Sequence, residues 1–235
     1  RLNDFNVNTD FIEIIESGCT PVAYIIVTKS EGKRTILYEQ NTLPKIQIHD
    51  CIKDLLSYTD VVLLDPETTY LSKEIRSLST SNHKIIYDCE RWKEGIDDMM
   101  ELADYFIPSS EFLLSEELKF SCISFEEKIL NLKNMIKGEL IVTNGSDGAY
   151  YIYNDLLYHI PVPEVKVADT IGAGDNFHAA FAFAISQAYN IHESVKFSVS
   201  AATLSCRDYG GRSGIPKYND VISFADSLKE KIIDY

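Results

Sequence analysis

Short apolar runs at Val61–Leu64 and at residues 84–87, 105–107 and 140–143 alternate with longer polar stretches in which apolar residues recur at helical spacing, as Leu71, Ile75 and Leu78 do. Strands that alternate with helices build βαβ units, whose parallel sheet is covered on both faces. Two further strands, Ala149–Tyr153 and Leu156–Ile160, are expected around the turn-forming pair Asn154-Asp155, as a hairpin within or at the edge of that sheet. The pattern then turns helical. Phe177, Ala180, Phe181, Ala184, Ile185 and Ala188 line one face of an amphipathic helix, and more helices are expected over residues 195–204 and 221–233.

Ahead of this alternation, Val22-Ala23-Tyr24-Ile25-Ile26-Val27-Thr28 and Arg34-Thr35-Ile36-Leu37-Tyr38 flank the turn Ser30-Glu31-Gly32, which reads as a β-hairpin. The 235 residues, against about 100–200 per domain, are read as one α/β core over residues 46–235 preceded by a small β appendage over residues 1–45. Lys and Arg number 22 against 36 Asp and Glu, a net charge of −14, and the cations are scattered. Such a field repels phosphate backbones and anionic lipid, so no nucleic acid or membrane partner is expected. Cys19, Cys51, Cys89, Cys122 and Cys206 lack C-x-x-C spacing and are odd in number, which suggests neither a zinc site nor a disulfide framework. No apolar run nears the ~18 residues of a spanning helix. Arg1-Leu2-Asn3-Asp4-Phe5 lacks the apolar core of a signal peptide, and a reducing cytoplasm is the expected location.

The stretch Ala168-Asp169-Thr170-Ile171-Gly172-Ala173-Gly174-Asp175-Asn176-Phe177 opens the most strongly patterned helix. Gly172 and Gly174 allow close approach of backbone to a ligand, and the unpaired N–H groups of a first helical turn make an anion hole. A carboxylate beside a phosphate cradle is otherwise repulsive. It makes sense if Asp175 takes a proton from a hydroxyl attacking that phosphate. The plain alternative is a tight turn followed by a helix-capping acid. The third Gly of a dinucleotide fingerprint is missing, and no G-x-x-x-x-G-K-[ST] occurs, so the Rossmann and P-loop readings fail.

The string Asp169-Thr170-Ile171-Gly172-Ala173-Gly174-Asp175-Asn176-Phe177 resembles the D-T-x-G-A-G-D-x-F signature of the ribokinase-like (PfkB) carbohydrate kinases. Upstream, Thr143-Asn144-Gly145-Ser146-Asp147-Gly148 resembles the family's T-x-G-x-x-G nucleotide loop. The stretch from Ala201-Ala202 to Gly210 resembles the helix and loop that close over adenine, and the hairpin over residues 22–38 is similar to the lid sheet of ketohexokinases in particular. The resemblance implies a ribokinase-like sandwich: a mostly parallel central sheet flanked by helices, with a small β lid.

It further implies an ATP-dependent sugar kinase, with Asp175 as base and Gly172, Ala173 and Gly174 supplying the anion hole. Thr143, Gly145, Ser146 and Gly148 would line the nucleotide, and Cys206 and Gly210 would sit near adenine or ribose. Asp169 and the Ile171 carbonyl match positions that hold a monovalent cation such as K+ in many relatives. Mg2+ would travel with ATP. The expected partners are a small-molecule sugar and a second copy of the chain, paired as a homodimer through the lid.

Bland readings stand beside these. Residues 143–148 could be a strand end and a Gly-rich turn, Cys206 an ordinary buried thiol, and His178 a structural histidine. Asp88, Glu90 and Arg91 fall where an α/β sheet places ligands, yet a solvated loop explains them too. Two departures from the family pattern matter. Where the family carries N-x-x-E, Ser109 takes the Asn position and Phe112 the Glu position, with Glu111 displaced by one. The opening strand and Gly-Gly-x-x-x-Asn region that grip the sugar are not found; Asn8-Thr9-Asp10-Phe11-Ile12 resembles the first lid strand that follows them. These residues alone are therefore expected to expose apolar faces and sheet edges and to be poorly soluble. A nucleoside or vitamin-like alcohol as acceptor, or a non-catalytic nucleotide-binding protein, are the alternative functions.

Overall fold

The computed structural model describes residues 2–27, 34–39, 43–78, 83–121 and 123–234, with the backbone alone at residues 27, 34, 36 and 38. The turn expected at Ser30-Glu31-Gly32 and Cys122 lie outside the described residues. The chain divides into two compact units, Arg1–Leu55 and Leu56–Tyr235. In the first, β1 (Ala23–Val27) and β2 (Arg34–Tyr38) pair antiparallel in the register Ala23↔Tyr38 to Val27↔Arg34. Directly opposed strand residues share a face, as do residues two apart. Tyr24, Ile26 and Leu37 therefore make one apolar surface, and each is more than half exposed. A short helix, α1 (Asp50–Leu56), closes this part of the chain.

In the second unit, β3 (Val61–Leu64), β4 (Lys84–Cys89), β5 (Tyr105–Pro108) and β6 (Glu139–Thr143) run parallel and lie side by side in chain order. Each step is made through a helix: α2 (Ser72–Leu78), α3 (Ile96–Leu102) and α4 (Phe125–Lys133). β7 (Ala149–Tyr153), β8 (Leu156–Ile160) and β9 (Lys231–Ile233) extend the sheet antiparallel, giving seven strands among the described residues. Asn154 and Asp155 between β7 and β8 both have positive φ, 49° and 62°, as a two-residue hairpin turn matched to strand twist requires.

Side-chain alternation divides the central strands between two cores. Ile86, Ile107 and Ile141 join Tyr151 and Ile160 beneath Phe177, Phe181, Val195 and Val199 of α5 (Ala173–Ser186) and α6 (Ile191–Ser205). Their neighbours Tyr87 and Phe106 point the other way, where Phe106 meets Phe112. Both faces of β4, β5 and β6 are thus buried, which is why they read as continuous apolar runs, whereas Leu63 of the edge strand β3 is exposed.

Two boundaries differ from the sequence expectation. The helix expected from residue 195 begins at Ile191, because Asn190 and Glu193 form reciprocal N-terminal caps, each side chain accepting the other's backbone N–H at 3.0 Å. The helix expected over 221–233 is corrected to two elements: α7 (Tyr218–Ser227), then β9, which pairs with β8 through Leu157↔Ile233, Tyr158↔Ile232 and His159↔Lys231. The outer edge of β8 offers unpaired backbone groups, and pairing them outweighs three more residues of helix. No helix among the described residues is long and apolar enough to cross a membrane.

Candidate active site

Residues 161–172 reach α5 without regular structure, and Gly172 begins the helix in the left-handed region at φ 76°. A Cβ there would lie 2.8 Å from the Gly211 Cα, so the two glycine backbones touch. Asn176 secures the contact: its Nδ2 donates to the carbonyl of Gly172 at 2.7 Å and of Gly211 at 3.3 Å. Asp169 works from the other side, its Oδ1 accepting the Ile171 N–H and its Oδ2 the Gly210 N–H, each at 3.0 Å. The Ala168 N–H donates to the Cys206 carbonyl at 2.8 Å. The signature string and the 206–211 loop are therefore one knitted structure.

Within the first turn, Ala173 turns its N–H back to the Thr170 carbonyl at 3.2 Å. Among the described residues no acceptor meets the N–H groups of Gly172, Gly174 or Asp175. Of the three donors expected, Ala173 is engaged within the turn, and Gly172 and Gly174 are not. A Cβ on Gly174 would meet nothing within 4 Å, so open space lies over these donors. The Asp175 carboxylate is exposed in the same turn, where the helix dipole favours its charge.

Thr143 ends β6, and its carbonyl accepts the Ser110 N–H at 2.7 Å. The next residues form a closed turn, the Asn144 N–H donating to the Gly148 carbonyl at 2.7 Å. Gly148 has φ 98°, and a Cβ would fall 2.0 Å from the Ile160 carbonyl oxygen, so only glycine fits. Gly145 and Ser146 are exposed at the tip, with open space around Gly145. Asp147 braces the turn, accepting from Asn144 Nδ2 at 3.0 Å and from the Tyr150 hydroxyl at 2.7 Å. Gly210 is likewise open, whereas the Cys206 thiol donates back to the Ala202 carbonyl of its own helix at 3.2 Å, and burial pushes its pKa up. Cys206 contributes its carbonyl to the site rather than a reactive sulfur.

Parallel register gathers further groups at the carboxyl ends of the strands, where such sheets place ligands. Asp88 lies opposite Ile107, and Ser109 bridges to Thr143. Asp88 lies 3.3 Å from Nδ1 of His178, which stands three residues beyond Asp175 on one helical face, and the Asp175 charge acts to raise the Asp88 pKa. Sequence reasoning did not connect Asp88 with His178; their pairing depends on how α5 seats on β4 and β5. Asp65, just past β3, also faces Asp88. Of the other loop candidates, Glu90 is exposed, and Arg91 is 2.9 Å from Glu67 in a surface ion pair that Lys93 shares. Phe112 is buried, stacked on Trp92 at 6.0 Å between ring centroids, while Glu111 is exposed. The Ser109 Oγ is buried without a protein partner.

Comparison with known proteins adds a family. A model described as pfkB family carbohydrate kinase matches residues 1–218. A ribokinase of Lactococcus lactis is 33% identical over 138 residues, 59% of this chain and 44% of the relative. A ribokinase of Bacillus subtilis is 32% identical over 220 residues, 92% of this chain and 72% of the relative. Among solved structures, a ribokinase of Thermotoga maritima aligns with a TM-score of 0.74 at 27% identity, covering 90% of this chain and 71% of that one.

Proposed function

The chain belongs to the pfkB family of carbohydrate kinases, and from that premise we propose that it transfers the γ-phosphoryl group of ATP to a sugar hydroxyl. The relatives named ribokinase make a pentose of the ribose class the first acceptor to test. The observation that carries the reading is the first turn of α5, where outward N–H groups, open space over Gly174 and an exposed carboxylate at Asp175 occupy one helical turn.

Asp175 accepts the proton of the acceptor hydroxyl as its oxygen bonds to the γ-phosphorus and the bond to the ADP oxygen breaks. The N–H groups of the Gly172-Ala173-Gly174 turn hold the phosphoryl oxygens, where fixed dipoles stabilise the charge of the transferring group. Thr143, Gly145, Ser146 and Gly148 line the nucleotide, with Cys206 and Gly210 near its adenine or ribose. Mg2+, bound chiefly by the nucleotide's phosphates and by water, supplies charge neutralisation there. The Asp169 carboxylate and the Ile171 carbonyl are the proposed ligands of a monovalent cation. On its sequence pattern the two-stranded unit is read as the sugar lid, and its exposed apolar face as the contact of a homodimer. Among the described residues Cys51, Cys89 and Cys206 are free thiols, in keeping with a reducing, cytoplasmic setting.

Coupled ADP release by the full gene product, measured against pentoses, hexoses and nucleosides with Asp175→Ala alongside, tests this reading. Turnover with a sugar, lost in the variant, supports it. Turnover with nucleosides alone moves the acceptor class, and nucleotide binding without turnover on any acceptor overturns the kinase assignment.

A further inference from the structure

Behind the first turn of α5, one buried imidazole meets three acceptors. His178 Nδ1 lies 2.8 Å from the Gly174 carbonyl and 3.3 Å from Asp88 Oδ2, and Nε2 lies 3.3 Å from the Ile107 carbonyl. A neutral imidazole has one N–H and one lone pair. Either neutral tautomer would turn that lone pair on a carbonyl oxygen, in a side chain only 7% exposed. The doubly protonated ring satisfies all three acceptors, and the Asp88 carboxylate answers its charge.

Asp88 does not stand alone. It faces His178 and Asp175 from α5, Glu90 from beyond its own strand and Asp65 from beyond β3, while Tyr87 and Cys89 flank it on β4. Burial strengthens its hold on a proton, the His178 charge weakens it, and the three neighbouring carboxylates strengthen it again, with a net upward direction. One imidazole is thus placed among several carboxylates at the carboxyl ends of the strands, beside the helix that carries Asp175.

Resting on the reading of Asp175 as the base, we propose that Asp88 and His178 are positioning residues. As a carboxylate–imidazolium pair they tie the ends of β4 and β5 to the first turn of α5 and balance the charge beside Asp175. Gly172 and Gly174 leave that turn with little side chain to hold it, and the His178 bond to the Gly174 carbonyl anchors the residue whose N–H faces the open space. The two members of the pair act on Asp175 with opposite sign. In His178→Asn the Asp88 carboxylate loses its counter-charge, and in Asp88→Asn the imidazolium loses its own.

The test is kcat against pH for the full gene product with the sugar that it turns over. In His178→Asn the acid limb moves up, and in Asp88→Asn it moves down, each by about half to one pH unit. In the double variant the limb returns towards its original position while kcat stays low, because the tie to α5 is lost. Loss of rate with no movement of the limb, or movement of both single variants in one direction, overturns the proposal. A readout without activity stands beside it: ring-nitrogen NMR of the unmutated protein reports whether both nitrogens of His178 carry the protons that the acceptors around them call for. A neutral ring overturns the pair whatever Asp175→Ala does. An active Asp175→Ala enzyme, by contrast, overturns only the assignment of the base.

Discussion

Gly172 and Asp175 occupy one helix end for different reasons. Gly172 has no Cβ because Gly211 lies against it, whereas Asp175 bears a charge that the first turn of a helix stabilises. The first is a demand of packing and the second an opportunity for chemistry. Asp175→Ala is therefore expected to lower kcat by about 10²–10⁴, the usual contribution of general acid–base catalysis, with nucleotide binding retained. Coupled ADP release and nucleotide titration measure the two effects, and an unchanged kcat removes Asp175 as base. Asp175 is legible in the sequence because its neighbours in the chain are also its neighbours in the site. The partner of His178 is not. Asp88 reaches it only after β4 and β5 pair in the register Asp88↔Ile107 and α5 seats across their ends. Arg91 teaches the converse: a cation in a ligand-placing loop, it is engaged with Glu67 in an exposed pair of a kind worth about 0–1 kcal/mol.

Among the elements, α5 does the most to join core and site. Its amphipathic face is plain in the sequence, and Phe181 sits at the middle of that face, fully buried, with its ring edge-on to Tyr105 at 5.1 Å. Phe181→Ala leaves a cavity between helix and sheet and is expected to lower unfolding stability by about 3–5 kcal/mol in urea titrations. A loss under ~1 kcal/mol would mean that α5 is not held by this packing. Periodicity serves such long elements well because each turn repeats the same evidence. It fails over residues 221–233, where a short apolar run fits helix and strand alike. The open edge of β8 decides there, and no local spacing reveals an edge.

At the scale of the whole molecule, the balance of charge and burial sets how stability responds to pH. His83 is buried, and burial, followed by the charge of Arg76, holds its pKa below the ordinary 6.5. The unfolded chain therefore takes up the proton first as pH falls, and stability declines once pH drops below that value. Melting temperature should fall between about pH 7 and 5, and His83→Gln should flatten that limb; an equally steep decline in the variant would assign it to other groups. The second expectation concerns assembly. If the exposed face of Tyr24, Ile26 and Leu37 is a contact between copies, Ile26→Glu yields monomers in sedimentation velocity where the unmodified protein is dimeric. Monomers in both would withdraw the dimer.

The alternation of apolar runs by itself determined an α/β sheet buried on both faces, since only that arrangement hides such strands from water. The signature around Asp175 likewise determined the chemistry proposed for the first turn of α5, because a helix terminus is a local structure whose donors and charge are set by adjacent residues. Tertiary structure alone decided the rest. It turned the last apolar run into an edge strand, placed Phe112 against Trp92, and brought Asp88 to His178. Each of these depends on which distant backbone groups or side chains were still without a partner when the chain closed on itself, and local spacing does not encode that quantity.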